Sequence, residues 1–134
     1  MSKMSVTPLV VLILVLALAT GKVAPCYPPQ GRTDGCSPKW LSYPYKKFFR
    51  PECNKHDTCY ACGSHSGMSR KVCDDKFLDN LEWRCRTDKE ERDDPDKCLT
   101  WARIMYGSVR LFGERSYKDP SRDWCNEYWV DSCL

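Results

Sequence analysis

Ten cysteines constrain this chain more than any other feature: Cys26, Cys36, Cys53, Cys59, Cys62, Cys73, Cys85, Cys98, Cys125 and Cys133. The residues ahead of them indicate which compartment they meet. Met1 to Ser5 carry one side-chain positive charge, on Lys3, and an uncharged, mostly apolar run follows from Val6 to Ala19. Ala17-Leu18-Ala19 places small residues where a signal peptidase cuts. The run is roughly 14 residues, short of the ~20 that a membrane-spanning helix needs. Residues 1–19 are therefore expected to be a secretory signal, and 20–134 a single secreted, extracellular domain. In an oxidising compartment an even cysteine count reads as five disulfides. Zinc at Cys59-x-x-Cys62 is the rival reading, but no second such pair exists to complete a thiolate site.

With Lys3 removed, the formal charge falls from +3 to +2, too mild to argue for nucleic acid. About 115 residues bury only a modest core, which cross-links would supplement. Cys26 to Pro51 is rich in Pro, Gly and aromatics and reads as an irregular loop region. Pro51 suits a first helical position and Gly63 a stop, so a helix is expected from about Pro51 to Cys62. Residues 63–67 form a Gly/Ser turn in which His65 is solvated. A second helix is expected from about Ser69 to Arg84, with Asp74, Phe77, Leu78, Leu81 and Cys85 on one face. Thr87 to Lys97 is a charged linker. Asp94-Pro95 then caps a third helix whose stripe is Trp101, Ile104, Met105, Ser108, Leu111 and Phe112, stopped by Gly113. No strand is convincing, and Tyr117 to Leu134 is ambiguous. The expected class is all-α and disulfide-rich.

The first helix sets Cys53, His56, Asp57 and Tyr60 at i, i+3, i+4 and i+7, roughly on one face. A neutral imidazole can take a proton from water, and a carboxylate can hold a hard cation such as calcium. Asp74 lies on an apolar stripe, so once buried it needs a partner. His56 is the candidate: a ring N–H donated to Asp74 fixes the tautomer and leaves the other nitrogen to accept a proton. Asp75 points off that stripe. Lys39, Trp40, Tyr43, Tyr45, Lys46, Lys47, Phe48, Phe49 and Arg50 interleave bases with aromatics. They read either as a collar that docks on a phospholipid membrane surface or as core rings flanked by solvated charges.

Three motifs together carry a resemblance. Asp34-Gly35-Cys36-Ser37, then Cys53-x-x-His56-Asp57-x-x-Tyr60, then Asp74-x-x-Phe77 followed by Cys85, resemble the secreted phospholipases A2. The resemblance is closest to the compact bacterial and fungal branch and to the conodipine group of cone-snail venoms. Cys98-x-x-Trp101 through Leu111-Phe112-Gly113 resembles the closing helix of the compact branch, and the similarity spans 80 of 134 residues. It implies two antiparallel catalytic helices with a third packed on them, and hydrolysis of the sn-2 ester of glycerophospholipids to a free fatty acid and a lysophospholipid. It further implies that His56 is the general base, Asp74 its orienting acid and Tyr60 a hydrogen-bond donor to Asp74. Calcium (Ca2+) would be bound by the Asp57 carboxylate and the backbone carbonyls of Asp34 and Gly35. It also implies pairing of Cys36 with Cys53 and Cys85 with Cys98; Cys62 with Cys73 is expected apart from the resemblance, and the other pairings stay open.

The chain departs from the better-known animal enzymes, which carry a Y-x-G-x-G loop and a double cysteine where this sequence has Asp34-Gly35-Cys36-Ser37 and Glu52-Cys53. Lys89-Glu90-Glu91-Arg92 reads as a plain surface loop or as a processing site giving two disulfide-linked chains, as in conodipines. A non-catalytic toxin or binding protein acting on a receptor or channel is the competing function. The presence of both His56 and Asp57 weighs against it.

Overall fold

Local capping signals fix where each helix of this protein begins. In the computed structural model, which describes residues 25–89 and 94–134, helix α1 runs Arg50–Cys62 with Pro51 in its first turn. Helix α2 runs Arg70–Thr87, and its N-cap Ser69 hydroxyl accepts the Val72 N–H at 3.3 Å. Helix α3 runs Pro95–Phe112, with the Asp94 carboxylate accepting the N–H groups of Asp96 and Lys97. These polar caps satisfy N–H groups that a helix cannot pair within itself. The expected signal segment and residues 90–92 of the charged stretch lie outside the described residues.

There is no strand among the described residues, so the chain is all-α. The ambiguous C-terminal stretch resolves into short 3-10 turns at Glu114–Ser116, Asp123–Asn126 and Val130–Cys133. Helices α1 and α2 are antiparallel: Glu52 meets Arg84, His56 meets Phe77, and Cys59 is bonded to Cys73. Helix α3 returns antiparallel to α2, with Cys85 bonded to Cys98 near one end and Arg70 bonded to the Val109 carbonyl at the other.

The main core gathers Phe48, Phe49, Phe77, Leu81 and Ala102 around the Cys36–Cys53 and Cys85–Cys98 bridges. A second cluster packs Trp129 and Val130 on the Cys62–Cys125 bridge. Burial of these rings and aliphatic chains supplies the non-directional attraction, and the bridges reduce the freedom of the unfolded chain. Cys26–Cys133 spans 107 positions, and so ties the start of the described chain to its end.

Two expectations need correction. Cys62 is bonded to Cys125, and Cys73 takes Cys59 instead. Cys59 and Gly63 lie four residues apart on the stripe of α1 that meets Cys73, whereas Cys62 is rotated off it toward the C-terminal turns. All four sulfurs involved are in disulfides, which removes the zinc reading of Cys59-x-x-Cys62. The stripe of α3 is also rotated from the expected one. Cys98 and Ala102 are buried with Met105 and Val109 partly covered, while Ile104, Leu111 and Phe112 are exposed.

Gly63 ends α1, but not through a left-handed turn: its φ is −58°. A Cβ there would come 2.6 Å from the Cys59 carbonyl oxygen and 2.9 Å from that of Met68. Close approach of backbone is what requires glycine at this position.

The aromatic-basic segment divides. Phe48 and Phe49 are core, and Tyr43 stacks on Trp101 at 6.1 Å. The Lys46 ammonium is spent inside the loop, donating to the carbonyls of Pro38, Lys39 and Leu41. Trp40 is left 84% exposed.

Candidate active site

Asp74, in the second turn of α2, is fully buried, and three elements converge on it. From α1, His56 Nε2 lies 2.8 Å from Oδ1, and the Tyr60 hydroxyl donates to the same oxygen at 2.7 Å. From α3, Arg110 Nη1 donates to Oδ2 at 2.7 Å, and Arg70, one turn back on α2, stands at 3.7 Å. Burial acts to raise the Asp74 pKa, but the bonds from His56, Tyr60 and Arg110 outweigh it and hold the carboxyl below its ordinary range. With Asp74 ionised, Nε2 of a neutral His56 carries the proton and donates it. Nδ1, with no hydrogen-bond partner among the described residues, is left as the acceptor. The ring is clamped between Tyr60 at 4.1 Å and Phe77 at 4.4 Å. Burial and the Asp74 charge push the Tyr60 phenol upward, so it stays a donor.

Asp57 lies one residue further along α1, outside the Asp74 cluster, and faces the upstream loop. Its Oδ2 accepts the Asp34 N–H at 2.8 Å. Gly35 makes that approach with φ +69°, and the next residue, Cys36, is anchored to α1 through Cys53. Burial, the strongest influence, raises the Asp57 carboxyl to about 7. The Asp34 and Gly35 N–H groups and the Lys39 charge lower it, while the Asp34 charge raises it. No cation lies within ion-pair distance of Asp57 among the described residues; the nearby Lys39 is paired with Asp34 at 3.1 Å. No cluster of three acidic, cysteine or histidine side chains suited to a metal occurs among the described residues. A cation at Asp57 would therefore draw further ligands from backbone oxygens or water.

His56 and Asp57 line a groove of about 750 Å³ whose walls are largely apolar, including Leu41, Tyr43, Phe77, Trp101, Met105 and Phe112. That volume lies in the range of small-molecule sites. The rotation of α3 accounts for the exposure of Ile104 and Phe112: both face this groove instead of the core. His65, by contrast, lies in the turn after α1, where its backbone N–H donates to Ser121.

Sequence reasoning missed Arg110 and Arg70. Arg70 precedes Asp74 by four residues on one helix, a spacing that announces an ion pair. Arg110 carries no such signal, because its contact depends on how α3 is rotated against α2.

Several venom proteins of cone snails are similar to this chain. Conodipine-P1 of Conus purpurascens is 30% identical over 129 residues, covering 63% of this chain and 72% of that protein. Conodipine-P2 of the same species is 46% identical over 54 residues, which is 40% of this chain and 30% of that protein. The Conodipine-M alpha chain of Conus magus is 38% identical over 53 residues, 40% of this chain and 69% of that protein. No family model and no solved structure matches the chain.

Proposed function

The chain belongs to the conodipine family, and from that premise we propose that it is a secreted, calcium-dependent phospholipase A2 acting on the sn-2 ester of glycerophospholipids at a membrane surface. The observation that carries the reading is the His56–Asp74 pair at 2.8 Å, with the ring lining an apolar groove beside an unpaired carboxylate. Five disulfides support a secreted product.

In this reading His56 Nδ1 holds a water and takes its proton as the water oxygen bonds to the acyl carbon. Asp74 keeps the ring in place and stabilises the imidazolium that results. The proton passes to the glycerol oxygen as the ester C–O bond breaks, and acid and lysophospholipid leave. No serine or cysteine nucleophile is needed, and every cysteine is in a disulfide. The apolar walls hold the acyl chain and exclude competing water.

Asp57 fits a calcium ligand. It is a hard oxygen donor whose charge is disfavoured by burial and lacks a paired cation, so a divalent ion would relieve it. Asp57, with the backbone carbonyls of Asp34 and Gly35, would hold the ion. When bound, calcium supplies polarisation of the ester carbonyl and stabilises the oxyanion.

The test is fatty-acid release from phospholipid vesicles with calcium or with a chelator, read beside thermal unfolding. Calcium at roughly 100 times its Kd should add about 2.7 kcal/mol of stability, and Asp57→Asn should lose both that gain and the activity. Undiminished hydrolysis in chelator rejects the calcium role. No hydrolysis in calcium by the unaltered chain rejects the enzyme.

The relative named an alpha chain motivates a two-chain product here as well. A cut between residues 87 and 97 would fall inside the loop closed by Cys85–Cys98, so the pieces would remain linked. Intact mass of the secreted protein should drop to two smaller species only after reduction. A single species under both conditions ends the idea.

A further inference from the structure

A second groove, of about 510 Å³, adjoins the apolar one and shares Ser37, Asp57, Tyr60 and Ser116 with it. Its character is opposite. Arg115, Lys118 and Arg122 line it, and none of them is in an ion pair among the described residues. The segment that carries them is fixed to the end of α1. The Lys118 N–H donates to the Tyr60 carbonyl at 2.9 Å, the Arg122 N–H to the Ala61 carbonyl at 3.0 Å, and Cys125 is bonded to Cys62. Backbone groups thus already satisfy those helix carbonyls, which leaves the three cationic side chains without that task.

The nearby carboxylates are mostly engaged elsewhere. Glu127 pairs with Arg32 and Asp34 pairs with Lys39, while Asp119, outside the groove lining, accepts the Ser64 hydroxyl at 2.7 Å and keeps its charge. Asp57 and Asp123 are the carboxylates on the groove that no lysine or arginine pairs. The Lys118 ammonium donates to the Arg115 backbone carbonyl at 3.3 Å, which holds it against this segment without neutralising its charge. Among the unpaired groups that line the groove, three cations face two carboxylates, so positive charge is in surplus beside the place where the proposed ester would sit.

We propose that this polar groove is the headgroup subsite and that it selects phospholipids whose headgroup carries net negative charge. An acyl chain lying in the apolar groove leaves the phosphate and its substituent at the shared residues, facing Arg115, Lys118 and Arg122. A free hydroxyl or a second anionic group is stabilised there. A quaternary ammonium meets like charge and loses hydration without compensation. The inference rests on the phospholipase reading of the same site.

The experiment uses short-chain lipids that stay monomeric, so that attraction of a cationic protein to an anionic surface plays no part. The unaltered chain should hydrolyse dihexanoyl-phosphatidylglycerol with kcat/KM roughly fivefold or more above dihexanoyl-phosphatidylcholine, as a few partly exposed charge contacts allow. The combined Arg115→Gln, Lys118→Gln, Arg122→Gln variant should bring that ratio close to one. Arg115→Lys with Arg122→Lys should keep it, and Lys97→Gln, in the first turn of α3 and outside the lining of both grooves, should not change it. Equal rates in the unaltered chain, or a ratio that survives the triple variant, overturns the subsite.

Equilibrium binding of the same two lipids, followed by the fluorescence of Trp101 and Trp124 in the two grooves, separates this inference from the enzyme reading. If neither lipid is hydrolysed, the phospholipase reading fails, and the binding preference alone decides the subsite.

Discussion

In the His56→Gln variant, fatty-acid release from phospholipid vesicles is expected to fall by about 10²–10⁴-fold, the range that a positioned general base contributes. Glutamine is close to histidine in reach, and its amide N–H can still donate to Asp74 Oδ1, which His56 Nε2 approaches at 2.8 Å. What it lacks is a second nitrogen that can accept a proton. The ring contacts with Tyr60 and Phe77 are weakened, so a small loss of stability accompanies the substitution. Thermal unfolding measured beside the assay separates the two effects. A near-native Tm with near-native release sinks the general-base assignment. A near-native Tm with abolished release also disposes of a purely non-catalytic role for this chain.

The legible part of the site was the part encoded within single helices. Asp74 stood out because a carboxylate on an apolar stripe costs too much to bury alone, and the fold meets that cost with His56, Tyr60 and Arg110. The one-residue offset between His56 and Asp57 separated their tasks: one faces α2, the other the loop at Asp34. Helix boundaries were legible for the same reason, since Ser69, Asp94, Pro51 and Pro95 act within a turn.

What stayed hidden needed the relative placement of elements. The apolar stripe of α3 was recognised as one surface, yet part of it walls the groove and part meets the core. Periodicity gives a face but not the partner it faces. Arg110 was invisible for that reason. The partner of Cys62 was hidden differently. It lies in a segment of 3-10 turns too short to carry a period, so nothing in residues 117–134 marked Cys125 as a neighbour of α1.

Asp74→Ala is the second large effect, and it should appear in stability as well as turnover. The substitution leaves a buried histidine N–H, a buried tyrosine hydroxyl and the Arg110 guanidinium without their shared acceptor. Breaking a buried ion pair from one side typically costs about 3–5 kcal/mol, and the partly exposed Arg110 can recover some of this by turning to water, which favours the lower end. A double-mutant cycle with Arg110→Met measures the coupling directly, because the second substitution removes the stranded charge. The sign of the pH dependence follows from the lowered Asp74 pKa. Its stabilisation is present above the ordinary carboxylate value of 3.8 and is lost as pH falls through the lower folded value. The Tm gap between the unaltered chain and Asp74→Ala should therefore be widest near neutrality and should close in strong acid. Equal Tm values at pH 7 would show that the buried carboxylate does not hold the three helices together, and the geometry attributed to His56 would lose its anchor.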